Sequence, residues 1–142
     1  MRRSTEAALA AVLTLILGVG FWLFTGESIG NGQTDIAVVI EFDEAAAARG
    51  QTLARDTGCL ACHTVDGTPG TGPTWKGLAG SSRPLESGET VTADDAYLTL
   101  SIVDPNAQVV EGFNPVMPTD YAQNLTDDEV SDLVEYIKSL GS

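Results

Sequence analysis

Cysteine, histidine and methionine are all scarce in this chain of 142 residues, which holds two cysteines, two methionines and one histidine. Three Cys and His side chains in total exclude a structural zinc site of the usual four ligands. Basic residues are scarce as well: Lys+Arg 7 against Asp+Glu 20, for a formal net charge of −13. Such a surface lacks the basic face that non-specific nucleic-acid binding needs. It suits solubility in salt or docking onto a basic partner. No run alternates long enough to demand a β-sheet, and no internal repeat is present.

Long apolar runs are confined to the N-terminus. Arg2 and Arg3 precede AALAAVLTLILGVGFWLF, residues 7–24, which carries no charge. At about 1.5 Å rise per residue this spans roughly 27 Å, close to the hydrocarbon core of a bilayer. A secretory signal peptide has a shorter apolar region and a small-x-small cleavage site. Here Phe21, Trp22, Leu23 and Phe24 stand where that site belongs. The expectation is therefore an uncleaved anchor over residues 1–25, with a cleaved signal peptide as the alternative. No cysteine stands directly after the run, which excludes lipoprotein-type attachment. The arginines keep the N-terminus cytoplasmic, so the rest of the chain is expected outside the cytoplasm, on the periplasmic side. With Glu6, Arg2 and Arg3 removed, that part holds 19 acidic and 5 basic residues.

Residues 26–42 read as a linker, Gly- and Ser-containing at first. Its apolar run, Ile36–Ile40, either packs on the domain's own surface or docks on a partner. Residues 43–142 form the remaining domain. DEAAAARGQTLARDTG, residues 43–58, predicts a helix with Asp43 and Glu44 at its positive end and Gly58 as its stop. Residues 91–106 predict a second, capped by Thr92 and closed before Pro105. In residues 125–142, Thr126 and Glu129 form a capping box. Val130, Leu133, Val134, Ile137 and Leu140 recur at helical spacing. Three short helices joined by Gly- and Pro-rich loops are poorly supplied with apolar side chains, so something else is expected to fill the centre.

GCLACHTVDG, residues 58–67, gathers Cys59, Cys62 and His63, every thiol and the one imidazole, within five positions. A Cys59–Cys62 disulfide is chemically open in an oxidising compartment but leaves His63 without a role. A thioredoxin-like pair needs a βαβ context, which is absent. Covalent haem attachment uses the whole set: two thioether bonds three residues apart and the adjacent imidazole on iron. Met1 lies across the expected membrane, so elimination leaves Met117 for the sixth iron position. It stands in EGFNPVMPTD, where Pro115 and Pro118 stiffen the loop. Its competing role is a gap-filling side chain. With both axial positions filled no substrate site remains, and the expected chemistry is electron transfer without catalysis.

Four ordered stretches resemble the class I cytochromes c: GCLACHT, GPTWKGLAG, DDAYLTLSIVDPNAQVVEGFNPVMP and DLVEYIKSL, covering about residues 44–141. The chain is most similar to the cytochrome c domain of haem-copper oxidase subunit II and to small membrane-bound monohaem cytochromes of respiratory complexes. The resemblance implies an all-α cytochrome c fold around one covalent haem c (heme c). Cys59 and Cys62 would hold the haem vinyl groups, and His63 and Met117 would bind the iron. The Pro73 carbonyl would accept from the His63 Nδ1–H. Gly50 would mark the crossing of the first and last helices, facing Leu133 and Tyr136. Ala54 replaces the family's usual aromatic and leaves that crossing less filled. Trp75, Arg83 and Tyr97 each offer a donor to the haem propionates, or else serve packing. The basic ring of soluble carriers is missing.

The expected function is a membrane-anchored electron carrier between a quinol-oxidising complex and a terminal oxidase. Its partners are redox proteins of the respiratory chain, met by a tethered carrier or within a stable complex such as alternative complex III or an oxidase. No nucleic-acid partner is expected. A haem sensor or peroxidase is the alternative, and it requires a labile sixth ligand.

Overall fold

The computed structural model describes residues 41–141. The anchor expected over 1–25 and all but the last two residues of the 26–42 linker lie outside the described residues, as does the 36–40 run. Among the described residues no helix is long and apolar enough to cross a membrane.

Helix α1, Glu44–Asp56, starts where Asp43 is extended and its carboxylate accepts from the backbone N–H groups of Ala45 and Ala46 at 2.8 and 2.9 Å. Two of the orphan donors of a helix start are thereby satisfied. The helix ends ahead of Gly58, whose φ of +80° suits glycine. A 3₁₀ turn, Cys59–Ala61, follows at once.

The expected all-α domain also contains a small hairpin. Strand β1, Ser82–Pro84, pairs antiparallel with β2, Thr90–Thr92, with Arg83 opposite Val91. Gly88, at φ +87°, lies in the connection. The hairpin corrects the second helix. Thr92 is in a strand and does not cap α2, which runs Asp95–Val103 behind Asp94, whose carboxylate accepts from Tyr97 N–H at 2.8 Å. A short helix α3, Tyr121–Asn124, precedes α4, Asp127–Ser139. The capping box forms as expected: Thr126 N–H donates to Glu129 Oε2 at 2.8 Å and Glu129 N–H donates to Thr126 Oγ1 at 3.3 Å.

Helix α1 packs mainly on α4, and α2 packs on α4 beside it. Gly50 lies at the first crossing. A Cβ built on it would stand 1.9 Å from the Asp132 carbonyl oxygen and 2.9 Å from Tyr136 Cβ, so the glycine lies against Asp132 and the expected Tyr136. Ala54 has no exposed surface, so the crossing is closed despite the missing aromatic. Arg49 clasps Asp132 across the same crossing through two bonds of 2.8 and 2.6 Å. Lys138 on α4 reaches Asp95 of α2 at 3.3 Å and its own-helix neighbour Glu135 at 2.7 Å. Leu98 and Leu133 are the largest fully enclosed side chains of the core.

Candidate functional site

The 3₁₀ turn explains the spacing of the two cysteines. His63 N–H and Cys62 N–H both donate to the Cys59 carbonyl, at 3.0 and 3.2 Å. In so tight a turn, residues three apart lie on one side. Cys59 and Cys62 thus line the same cavity, the first buried and the second exposed, and no disulfide joins them. Among the described residues no group of three or more His, Cys, Asp or Glu side chains converges on a metal position. The two thiols and the imidazole are therefore not a tripod for a bare ion.

His63 is fixed from the next loop. Gly72 N–H donates to the Cys62 carbonyl at 3.0 Å and Trp75 N–H to the Thr64 carbonyl at 2.8 Å, so residues 72–75 run beside residues 62–64. That pairing brings the Pro73 carbonyl 2.8 Å from His63 Nδ1. A carbonyl only accepts, so Nδ1 carries the proton and Nε2 keeps its lone pair. Burial lowers the imidazole below its ordinary pKa, and the Pro73 bond offsets part of that shift. A buried neutral imidazole with Nε2 available is the form that binds a metal.

Two contacts at this ring were not foreseen. The Trp75 ring stacks on His63 with centroids 5.1 Å apart and 24° between planes, and meets Tyr136 edge-on at 6.0 Å. Gly72 gives the imidazole its room: a Cβ there would stand 2.6 Å from His63 Cε1. The glycine beside Pro73 in GPTW was the available signal for the second. For the first the sequence held none, since stacking depends on how the loops pair.

The cavity measures about 180 Å³. Met117 lines it together with Cys59, Cys62 and His63. Met117 is half-buried between exposed Pro115 and Val116 on one side and exposed Pro118 on the other. Its loop is anchored at the base, where Glu86 N–H donates to the Val109 carbonyl and Glu111 N–H to the Pro84 carbonyl, both at 2.9 Å. Leu98, Ile102 and Ile137 supply apolar wall. Of the three donors considered for propionates, Trp75 and Tyr97 line the cavity and Arg83 does not. Arg83 Nε is nevertheless buried without a partner. Tyr121, also unforeseen, lines the cavity and donates to the Thr57 carbonyl at 3.2 Å. Burial raises its pKa, with Cys59 adding to the shift.

These residues fit a haem. An apolar cleft of this kind takes a flat hydrophobic macrocycle. One wall carries two thiols on a single turn and an imidazole of fixed tautomer, and a thioether shares the space. One buried donor of this cavity, Ser101 Oγ, still lacks an acceptor.

Residues 47–141 match the family described as cytochrome c, which is more than half of the chain. Among solved structures, cytochrome cH from Methylobacterium extorquens is similar at 29% identity over 66% of this chain and 97% of its own, with a TM-score of 0.47. No curated protein matches.

Proposed function

Because the chain belongs to the cytochrome c family, we propose that it is a membrane-anchored carrier of single electrons in a respiratory chain. The family binds covalently attached haem c, and membership implies electron transfer by a c-type cytochrome. The observation that supports the assignment of residues is the single cavity shared by Cys59, Cys62, His63 and Met117. In this reading Cys59 and Cys62 would hold the haem through thioether links, and His63 Nε2 and Met117 Sδ would bind its iron. Pro73 holds the imidazole in register. When bound, the haem supplies a one-electron couple between ferric and ferrous iron. A thioether ligand from Met117 would favour the reduced form and raise the potential. With His63 and Met117 both holding the iron, no site would remain for a substrate.

Met117→Ala tests this assignment. The variant is expected to retain covalent haem, to bind carbon monoxide or cyanide readily, and to show a lower midpoint potential. A wild-type protein that binds carbon monoxide as fast as the variant would remove Met117 from the iron. The sensor or peroxidase reading would then take its place.

The finer reading places the domain outside the cytoplasm on the N-terminal span, between a quinol-oxidising complex and a terminal oxidase. Two features of the sequence support it: the uncharged run at 7–24 behind two arginines, and an exported part with 19 acidic and 5 basic residues. A partner for so acidic a domain presents a basic surface. Attraction between such surfaces is screened over a Debye length of about 8 Å at physiological ionic strength. For a tethered carrier, the electron-transfer rate measured by stopped flow should fall steeply as salt rises. A flat salt profile with co-purification that survives high salt would reject the tethered carrier and leave a fixed subunit of a larger complex.

A further inference from the structure

The loop that carries Met117 is held from both sides. At its start, Val110 bridges to Leu85, and Glu111 N–H donates to the Pro84 carbonyl at 2.9 Å. Within it, Phe113 N–H returns to the Val110 carbonyl at 3.2 Å and Val116 N–H to the Asn114 carbonyl at 2.8 Å. After it, the backbone N–H groups of Gln123, Asn124 and Leu125 and the Asn124 side chain all donate to Asp120 or Tyr121, their near neighbours in the chain. Among the described residues, one hydrogen bond alone ties residues 112–125 to a distant segment. Tyr121 Oη–H donates to the Thr57 carbonyl at 3.2 Å, 64 positions away.

Thr57 is a fixed anchor. It closes α1, where its N–H and its hydroxyl both donate to the Leu53 carbonyl, at 2.9 and 2.8 Å. Two residues on stands Cys59, whose sulfur lies 3.3 Å from Thr57 Oγ1. The phenol therefore joins the loop of the expected sixth ligand to the turn of the expected thioether links. Burial raises the Tyr121 pKa above its ordinary value, so the phenol remains a donor at neutral pH. Its ring is half-buried against the core. Tyr121 stands four positions after Met117, and Pro118 fixes one φ between them. A shift at Tyr121 is thus passed on to Met117. We propose that the Tyr121–Thr57 bond is the latch that holds Met117 on the iron when the haem is bound, which makes Tyr121 a positioning residue for the sixth ligand. The inference rests on the electron-carrier reading above.

Loss of one such bond is expected to open the loop about three- to tenfold more often. The opening is local, since a loop can leave its place while α1, α2 and α4 stay packed. It is read in the exchange of the sixth ligand, because an added imidazole binds only after the thioether has left. It is read separately in the loop's own amides, Phe113 and Val116, whose hydrogen bonds lie within the loop.

The test uses the full chain with its haem. Tyr121→Phe keeps the ring and its packing and loses only the hydroxyl. The variant should retain covalent haem, bind imidazole about three- to tenfold faster in stopped flow, and exchange the Phe113 and Val116 amide hydrogens faster. Asp43→Ala is the control for stability. It removes the cap at the other end of α1, about 20 Å of helix from Thr57. It should lower the guanidinium midpoint and leave imidazole binding as it was. In a Met117→Ala background, Tyr121→Phe should leave imidazole binding unchanged, because no ligand remains to be displaced. Three results would overturn the proposal: wild-type binding kinetics in Tyr121→Phe, the same acceleration in Asp43→Ala, or an acceleration that persists in the Met117→Ala background. A wild-type chain that lacks covalent haem, or binds imidazole as fast as Met117→Ala, would overturn the electron-carrier reading itself, and this inference with it. A haem-bearing wild type that binds imidazole slowly and is indifferent to Tyr121→Phe overturns the inference alone.

Discussion

Replacing Cys59 and Cys62 together by alanine is expected to yield a chain with no covalent haem and no cooperative melting transition. The reason lies in how the core is built. Among the described residues, five of the 17 buried apolar side chains are alanines, which contribute little buried area, so the large side chains carry most of it. Several of those large side chains, Tyr97, Leu98, Ile102 and Ile137 among them, also form the wall of the cavity. Without a filling group they border an open cleft. A domain of about 100 residues holds a net stability of only about 5–15 kcal/mol. A group that binds the folded state alone adds its own binding free energy to that margin. Losing both attachment points removes this contribution, on the order of the whole margin. The measurement is a thermal scan by circular dichroism beside a haem stain of the purified variant. A colourless variant that still unfolds cooperatively would show that α1, α2 and α4 suffice as a core.

The parts of this arrangement that were legible in the sequence are the local ones. A cap is a matter of three or four consecutive residues, so the Thr126–Glu129 box is found in place, and Asp43, expected only as a charge at the positive end of α1, is its cap. The one-turn spacing of Cys59, Cys62 and His63 is equally local, and the turn that carries them is present. The start of α2 was misplaced because Thr92 and Asp94 both qualify as caps. The choice is made by pairing with Ser82–Pro84, a strand too short to show alternation. Helix α3, four residues long, carries no periodicity at all. The rest of the site depends on contacts between segments distant in the chain: Trp75 on His63, Gly72 under the imidazole, Tyr121 on the Thr57 carbonyl, Ser101 toward the cavity. None of these is a relation between near neighbours in the chain. The Pro73 carbonyl, ten residues from His63, was reached through the family resemblance, and the bond is present at 2.8 Å. The role of Arg83 was reached the same way, and it is not among the residues that line the cavity.

Gly50→Ala is expected to cost the domain a large part of its stability, although the change is one methyl group. On an isolated helix the substitution helps: alanine exceeds glycine in helix propensity by about 1 kcal/mol. Against this stands the crossing with α4. The new Cβ would lie 1.9 Å from the Asp132 carbonyl oxygen and 2.5 Å from its carbonyl carbon, and 2.9 Å from Tyr136 Cβ. The first two are backbone atoms of the facing helix, and the third is fixed to it directly. None can rotate away, so the helices must separate. Separation opens the packing of Ala54, Leu133 and Val134 and stretches the Arg49–Asp132 clasp. Overpacking of this kind costs about 3 kcal/mol or more where the surroundings cannot yield. The steric cost therefore exceeds the propensity gain, for a net loss of at least about 2 kcal/mol, roughly thirtyfold in the folding equilibrium. Gly141→Ala is the control, since a Cβ there would meet only the Lys138 carbonyl oxygen at 3.8 Å, an ordinary contact. Guanidinium melts of the two haem-bearing variants should show a lowered midpoint for Gly50→Ala and an unchanged one for Gly141→Ala. Equal midpoints would mean that α1 and α4 stand further apart than the Gly50 contact requires.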